Sequence, residues 1–141
     1  MRKVVVDTSV AVKWFVPEVH TEAATRLLAT EFVLFAPDLI GPELANTLWK
    51  KVRRGELTQG EAEEILAAFE NLPIEVTPSR VLLAAALQVA IALDRSVYDC
   101  LYLALAVAQD CALLTADRRF HSAVLASSAL APYIRWVEDQ L

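Results

Sequence analysis

Residues 4–10 read VVVDTSV. Three consecutive valines predict a strand buried on both faces, as in the middle of a parallel sheet. The strand ends on Asp7, a carboxylate that cannot be buried cheaply without a compensating partner. Thr8 and Ser9 follow, hydroxyls able to cap the next segment, VAVKWFV, which Pro17 ends. How the rest of the chain compensates Asp7 decides both fold and function.

Working outward, apolar runs predict further strands: FVLFA at 32–36, closed by Pro37; Ile74–Val76; ALLT at 112–115; and YIRWV at 133–137. Between them the apolar residues recur with helical spacing. One helix is expected from about Val19 to Ala29. A longer one runs from about Asp38 to Arg54, with Pro42 tolerable only in its first turn and Gly55 at its end. Thr58 and Glu61 are spaced as a capping box for the next helix, and the two together form an αα-hairpin. Ser79 is expected to cap an apolar helix to about Leu93. Ser96 and Asp99 again have capping-box spacing, ahead of YDCLYLALAVAQ, which is apolar all round and hence buried. ADRRFHSAVLA is the last helix. Strands alternating with helices predict an α/β fold: a three-layer α/β/α sandwich on a mainly parallel sheet of four to five strands.

Composition narrows the function. The 141 residues suit one domain spanning 1–141, and 56% hydrophobic content argues for a packed core. Three glycines, Gly41, Gly55 and Gly60, cannot spell a dinucleotide or phosphate-cradling loop. No apolar stretch reaches membrane length: Val81–Leu93 and Cys100–Ala108 read as core helices. The apolar run after Met1 is too short for a signal peptide, so the expected setting is cytoplasmic. Cys100 and Cys111 are expected to be small buried hydrophobes, and His20 and His121 surface or helix-end residues without metal-ligand spacing.

In a parallel sheet, ligands bind beyond the carboxyl ends of the strands. Asp7 follows the first strand and Asp117 the ALLT strand. Glu43 lies in the first turn of the helix after FVLFAP, and Asp99 heads the buried helix. Each acid alone has an ordinary explanation as a helix cap or a first-turn acid. Gathered together without matching Lys or Arg, the four would repel and raise one another's pKa. A hard divalent cation, Mg²⁺ or Mn²⁺, resolves that repulsion through oxygen ligands. Such ions lower the pKa of bound water and stabilise charge on the leaving oxygen of a phosphodiester. Asp94 is read as a turn residue.

The motifs VVDTSV, PELANTLWK, SVYDCLYLALA and LLTADRRF, in this order over nearly the whole chain, resemble the PIN-domain ribonucleases, most closely the toxin of VapBC-type pairs. The resemblance implies that Asp7, Glu43, Asp99 and Asp117 form the acidic quartet of an Mg²⁺- or Mn²⁺-dependent endoribonuclease. It implies Asp7, Asp99 and Asp117 as metal ligands, directly or through water, with Glu43 supporting a second metal or orienting water. Ser9 and Thr115 fall where hydroxyls steady the first Asp and the metal waters, and Asn46 is a supporting amide. It further implies the toxin role of a type II toxin–antitoxin system, a homodimer, and a small antitoxin as partner.

Net charge is −5, but setting four of the 18 acids aside leaves 14 against 13 Lys and Arg, a balance of −1. Lys50, Lys51, Arg53 and Arg54 cluster, and Lys50 and Arg54 share a helix side with Glu43. Arg118 and Arg119 directly follow Asp117. Lys50, Arg54, Arg118 and Arg119 are candidate RNA-phosphate contacts, against the alternative of a solvated face. Trp14, Phe15, Trp49 and Phe69 are either core or the lining of a groove for a partner helix. Among rivals, a haloacid-dehalogenase-type phosphatase needs an Asp where Ser9 stands. A receiver domain needs an acidic pair and a later Lys, and neither pattern is clear. The alternative that remains is a catalytically weak PIN-like module that binds RNA or protein.

Overall fold

The computed structural model describes all residues 1–141. Its five strands are β1 (Arg2–Val6), β2 (Phe32–Pro37), β3 (Ile74–Thr77), β4 (Ala112–Thr115) and β5 (Ile134–Trp136). They form one sheet in the order β3-β2-β1-β4-β5, and every pairing is parallel. The VVV strand is central, as expected: Val5 and Val6 are fully buried. The helices are α1 (Thr8–Ala11), α2 (Thr21–Thr25), α3 (Ile40–Arg53), α4 (Gln59–Glu70), α5 (Leu83–Leu93), α6 (Val97–Ala108) and α7 (Arg118–Leu125). Parallel strands require crossovers, and these are right-handed. Stepping from β1 to β2 to β3 therefore lays α1–α4 on one face. The return from β3 to β4 and β5 lays α5–α7 on the other. This is the expected three-layer sandwich, and the strand order reverses at β1 and β4.

Local chemistry explains most boundaries. Pro42 sits in the first turn of α3, and Gly55 ends that helix in the left-handed region at φ 74°. The Thr58–Glu61 capping box of α4 is closed in both directions. Seven consecutive residues of α6, Cys100–Ala106, are buried, and the helix packs on β1, β2 and β4. The predicted helix over 19–29 is shorter and broken. His20 is left-handed at φ 70°, α2 starts after it, and a 3₁₀ turn follows at Arg26–Leu28.

Four further expectations are corrected. Ser79 does not cap α5; its N–H and hydroxyl both donate to Asp38, and a 3₁₀ turn, Ser79–Leu82, intervenes. Helix α5 is not a core helix. It buries Ala86 and Ala90 and exposes a stripe of Leu83, Leu87 and Ile91, the last 75% accessible. No single helix is long and apolar enough to cross a membrane. His121 is buried against Trp136, with ring centroids 5.8 Å apart, because β5 returns beside α7. Of the two free cysteines only Cys100 is fully buried; Cys111 is half-buried. Asp94 is, as expected, a turn residue: it ends α5 at φ 54°.

This division of α6 from α5 sets a stability contrast. Leu103→Ala, at a site with no accessible surface, should cost about 3–5 kcal/mol. Ile91→Ala should fall within about 0.5 kcal/mol of the parent. Urea unfolding of both variants checks the assignment.

Candidate active site

The reversal of strand order at β1 and β4 makes their carboxyl ends the crevice of the sheet. Asp7 follows one strand and Asp117 the other. The register Val4↔Ala112, Val5↔Leu113, Val6↔Leu114 carries Thr115 up beside Asp7. Thr115 Oγ1 donates to Asp7 Oδ2 at 2.5 Å, and Ser9 Oγ to Asp7 Oδ1 at 2.5 Å. The Val10 N–H also donates to Oδ1, so Asp7 is the N-cap of α1. Ser9 Oγ in turn accepts from the Ala116 N–H at 2.9 Å, which ties the turn after β1 to the turn after β4. Ser9 and Thr115 thus each hold one oxygen of Asp7.

Asp7 is only 8% accessible. Burial is the largest cause that pushes its carboxyl up to about 6; the Ser9, Thr115 and Val10 hydrogen bonds oppose this, and Asp117 adds repulsion. All three donors to Asp7 are neutral, so its charge is solvated but not balanced.

Asp117 is the N-cap of α7, accepting from the Arg119 and Phe120 N–H groups through Oδ1. Its Oδ2 lies 3.9 Å from Arg95. Asp99 sits in the first turn of α6. Ser96 accepts its N–H, but the capping box is only half formed, because the Asp99 carboxylate turns to Arg95 Nη2 at 3.1 Å. Burial is the largest influence on the Asp99 carboxyl, whose pKa is raised; the Arg95 guanidinium opposes the rise and Asp117 adds to it. Glu43 projects from the first turn of α3. Its Oε1 accepts from Tyr102 Oη at 2.5 Å and Thr8 Oγ1 at 3.1 Å. Burial and the Glu43 carboxylate push the Tyr102 phenol far above its ordinary range, so it stays a donor.

The four acids therefore share one edge of the sheet, but the expectation that they gather without a matching cation is corrected: Arg95 bridges two of them. As they stand, no three carboxylates are arranged to hold one metal ion. The donor set nevertheless suits a hard cation: all oxygen, mutually repelling, with one member buried and unbalanced. Asn46 is exposed and makes no hydrogen bond to the acids. Lys50, Arg53 and Arg54 line a shallow basic depression with Trp49, where Arg53 stacks on the indole 5.0 Å from its centroid. Lys51 is drawn away to Glu18 and Glu56. Arg118 lies over Trp136 at 3.6 Å, and Arg119 is exposed. Of the four aromatics, Phe69 is buried and Trp14 donates to the Ala24 carbonyl. Trp49 is 52% accessible and helps line an apolar groove of about 340 Å³ between α3 and α4.

Sequence reasoning missed Arg95 and Tyr102, and it read Thr8 as a capping hydroxyl where Thr8 in fact donates to Glu43. Two signals were present: Arg95 stands four residues before Asp99, and Tyr102 is a phenol inside an apolar helix, where its hydroxyl needs a partner.

The Asp7 shift has a definite sign. The folded chain keeps the proton up to about 6, whereas the unfolded chain loses it near 3.8. Folding stability therefore falls as pH rises through that window, and the whole penalty, about 3 kcal/mol, is present above it. Asp7→Asn should stabilise the metal-free protein by roughly 1–3 kcal/mol at pH 7, and by almost nothing near pH 4. Chemical denaturation in EDTA at the two pH values checks this; a gain independent of pH would refute the burial account.

Comparison with known proteins agrees with this geometry. The family model described as "PIN domain" matches residues 4–124. Ribonuclease VapC3 of Pyrobaculum aerophilum is 37% identical over 121 residues, covering 83% of this chain and 91% of that protein. Among solved structures, PAE2754 from Pyrobaculum aerophilum aligns with a TM-score of 0.65 at 22% identity, covering 97% of this chain and 90% of that one. Mycobacterium tuberculosis VapC20, described as a sarcin-ricin-loop-cleaving toxin, aligns at 0.64 and 19%, covering 85% and 94%. VapBC2 from Rickettsia felis, bound to a promoter DNA fragment, aligns at 0.64 and 13%, covering 95% and 98%. With its sheet, its strand-end acids and a family match over most of its length, the chain belongs to the PIN-domain family.

Proposed function

We propose that the chain is a metal-dependent endoribonuclease, the toxin of a type II toxin–antitoxin pair, folded as one domain over 1–141. The observation that carries this reading is the buried, unbalanced Asp7 beside Asp117, at the crevice shared with Asp99 and Glu43. The similarity to Ribonuclease VapC3 supports the RNA-cleaving class. Asp7, Asp99 and Asp117 would hold Mg²⁺ or Mn²⁺, which supplies an activated water and stabilises the leaving oxygen. The chain's own residues do the rest. Ser9 and Thr115 orient Asp7 through both carboxylate oxygens. Tyr102 and Thr8 hold Glu43 by Oε1, which leaves Oε2 to orient a water. Lys50, Arg54, Arg118 and Arg119, none of them in an ion pair, are available to RNA phosphates beside the cut.

The partners follow the same reading. The VapBC complex among the structural neighbours supports a small antitoxin, and the α3–α4 groove with Trp49 is an apolar face for it. A homodimer would cover the Leu83, Leu87 and Ile91 stripe, too continuous to be scattered surface apolarity. A cytoplasmic setting suits an RNA substrate.

Incubating the protein with RNA and Mg²⁺ or Mn²⁺ tests the activity. Asp7→Asn and Asp99→Asn should each lower cleavage by on the order of 100-fold or more, and EDTA should abolish it. Cleavage that survives both substitutions and chelation rules the proposal out. Sedimentation of Leu87→Glu should show a smaller species than the parent; identical masses would count against the dimer face.

A further inference from the structure

Arg95 lies in the turn between α5 and α6 and reaches two of the four site acids. Its Nη2 is 3.1 Å from Asp99 Oδ2 and 3.9 Å from Asp117 Oδ2. Its guanidinium lies over the Phe120 ring, 5.6 Å from the centroid. Its Nε is buried and has no hydrogen-bond partner. A guanidinium offers five donors, and burying one without an acceptor is unfavourable. The side chain holds this pose because the two carboxylates hold it. Asp99 and Asp117 are thereby engaged by a cation before any metal arrives, and no three acids are grouped for an ion.

Resting on the metal-dependent reading above, we propose that Arg95 is the resident counter-ion of the site. It links Asp99 to Asp117 in the metal-free protein and must release at least one of them when a divalent cation is held. It is a positioning residue that sets metal affinity: the metal-free site is spared carboxylate repulsion, and the ion binds against a competing charge. Once released, the guanidinium stays at the rim, where its planar fork suits a phosphate.

Calorimetric titration with MnCl₂ tests this on the full chain. Arg95→Gln should bind Mn²⁺ about tenfold or more tightly than the parent, the order of effect expected when one positive charge beside a dication is removed in a wet site. Arg95→Lys keeps the charge and should stay within about threefold of the parent. In EDTA, Arg95→Gln should melt below the parent, and saturating Mn²⁺ should narrow the gap. The parent supplies a readout that needs no variant: the Arg95 Nε–H signal in NMR should shift and lose exchange protection on adding Mg²⁺. An Arg95→Gln protein with native near-UV dichroism and equal or weaker Mn²⁺ affinity overturns the proposal, as does an Nε–H signal unmoved by Mg²⁺. If the parent binds no Mn²⁺ and cleaves no RNA, the metal-dependent reading itself fails. Parent binding with no change in Arg95→Gln overturns only the role of Arg95.

Discussion

The structure turns on the hydrogen bonds that hold one buried carboxylate. Asp7 leaves the central strand with both oxygens taken, Oδ1 by Ser9 and the Val10 N–H and Oδ2 by Thr115. Thr115 reaches it only because β1 and β4 pair in the register Val6↔Leu114. A slip of one residue would turn Thr115 to the opposite face of the sheet. The valines that bury β1 thus do more than fill the core, because their fixed register brings a hydroxyl from more than a hundred residues away to Asp7. Ser9 then accepts from the Ala116 N–H, which ties the two strand-end turns together.

That rigidity explains which parts of the molecule could be read from the chain. Strands β1, β2 and β4 each carry an uninterrupted apolar run (VVV, FVLFA and ALL), and acids placed just beyond such runs can point only to the sheet's carboxyl edge. The reading failed where a residue's environment is set by a distant partner. Helix α5 looked like core because nearly all its residues are apolar. Its inward positions, Ala86 and Ala90, are small, so the helix lies close to its neighbour while Leu83, Leu87 and Ile91 face outward. Composition cannot distinguish that from burial on every side. His121 reads as an ordinary helix residue until β5 returns and sets Trp136 against it. Arg95 sits in a turn that any polar residue would suit; only the fold, which sets the heads of α6 and α7 at the same edge of the sheet, brings Asp99 and Asp117 within its reach.

The quartet is electrostatically divided. Asp7 and Glu43 are held by neutral donors, hydroxyls and a backbone N–H, which orient a carboxylate while leaving its charge in place. Asp99 and Asp117 are met by a guanidinium, which offsets charge instead. The two kinds of support follow depth. Asp7 has almost no access to water, and a Lys or Arg head packed against it would itself be desolvated. Arg95 is a quarter exposed, and its stem lies against Phe120 while its head remains partly wet.

Two of the acids also cap helices, and this changes how such residues are weighed. A cap and a ligand look like competing explanations for one carboxylate, since each claims the same side-chain oxygens. Asp117 shows why they are compatible. Its Oδ1 takes the Arg119 and Phe120 N–H groups, which fixes the carboxylate plane and leaves Oδ2 aimed into the crevice toward Arg95. Capping by one oxygen is what positions the other. The helix N-terminus also carries partial positive charge, which attracts a carboxylate placed there. At the carboxyl edge of a parallel sheet, where each strand turns into a helix, the residue that best starts the helix is therefore already placed to face its neighbours. A site of several acids can be assembled from positions that local structure favours on its own.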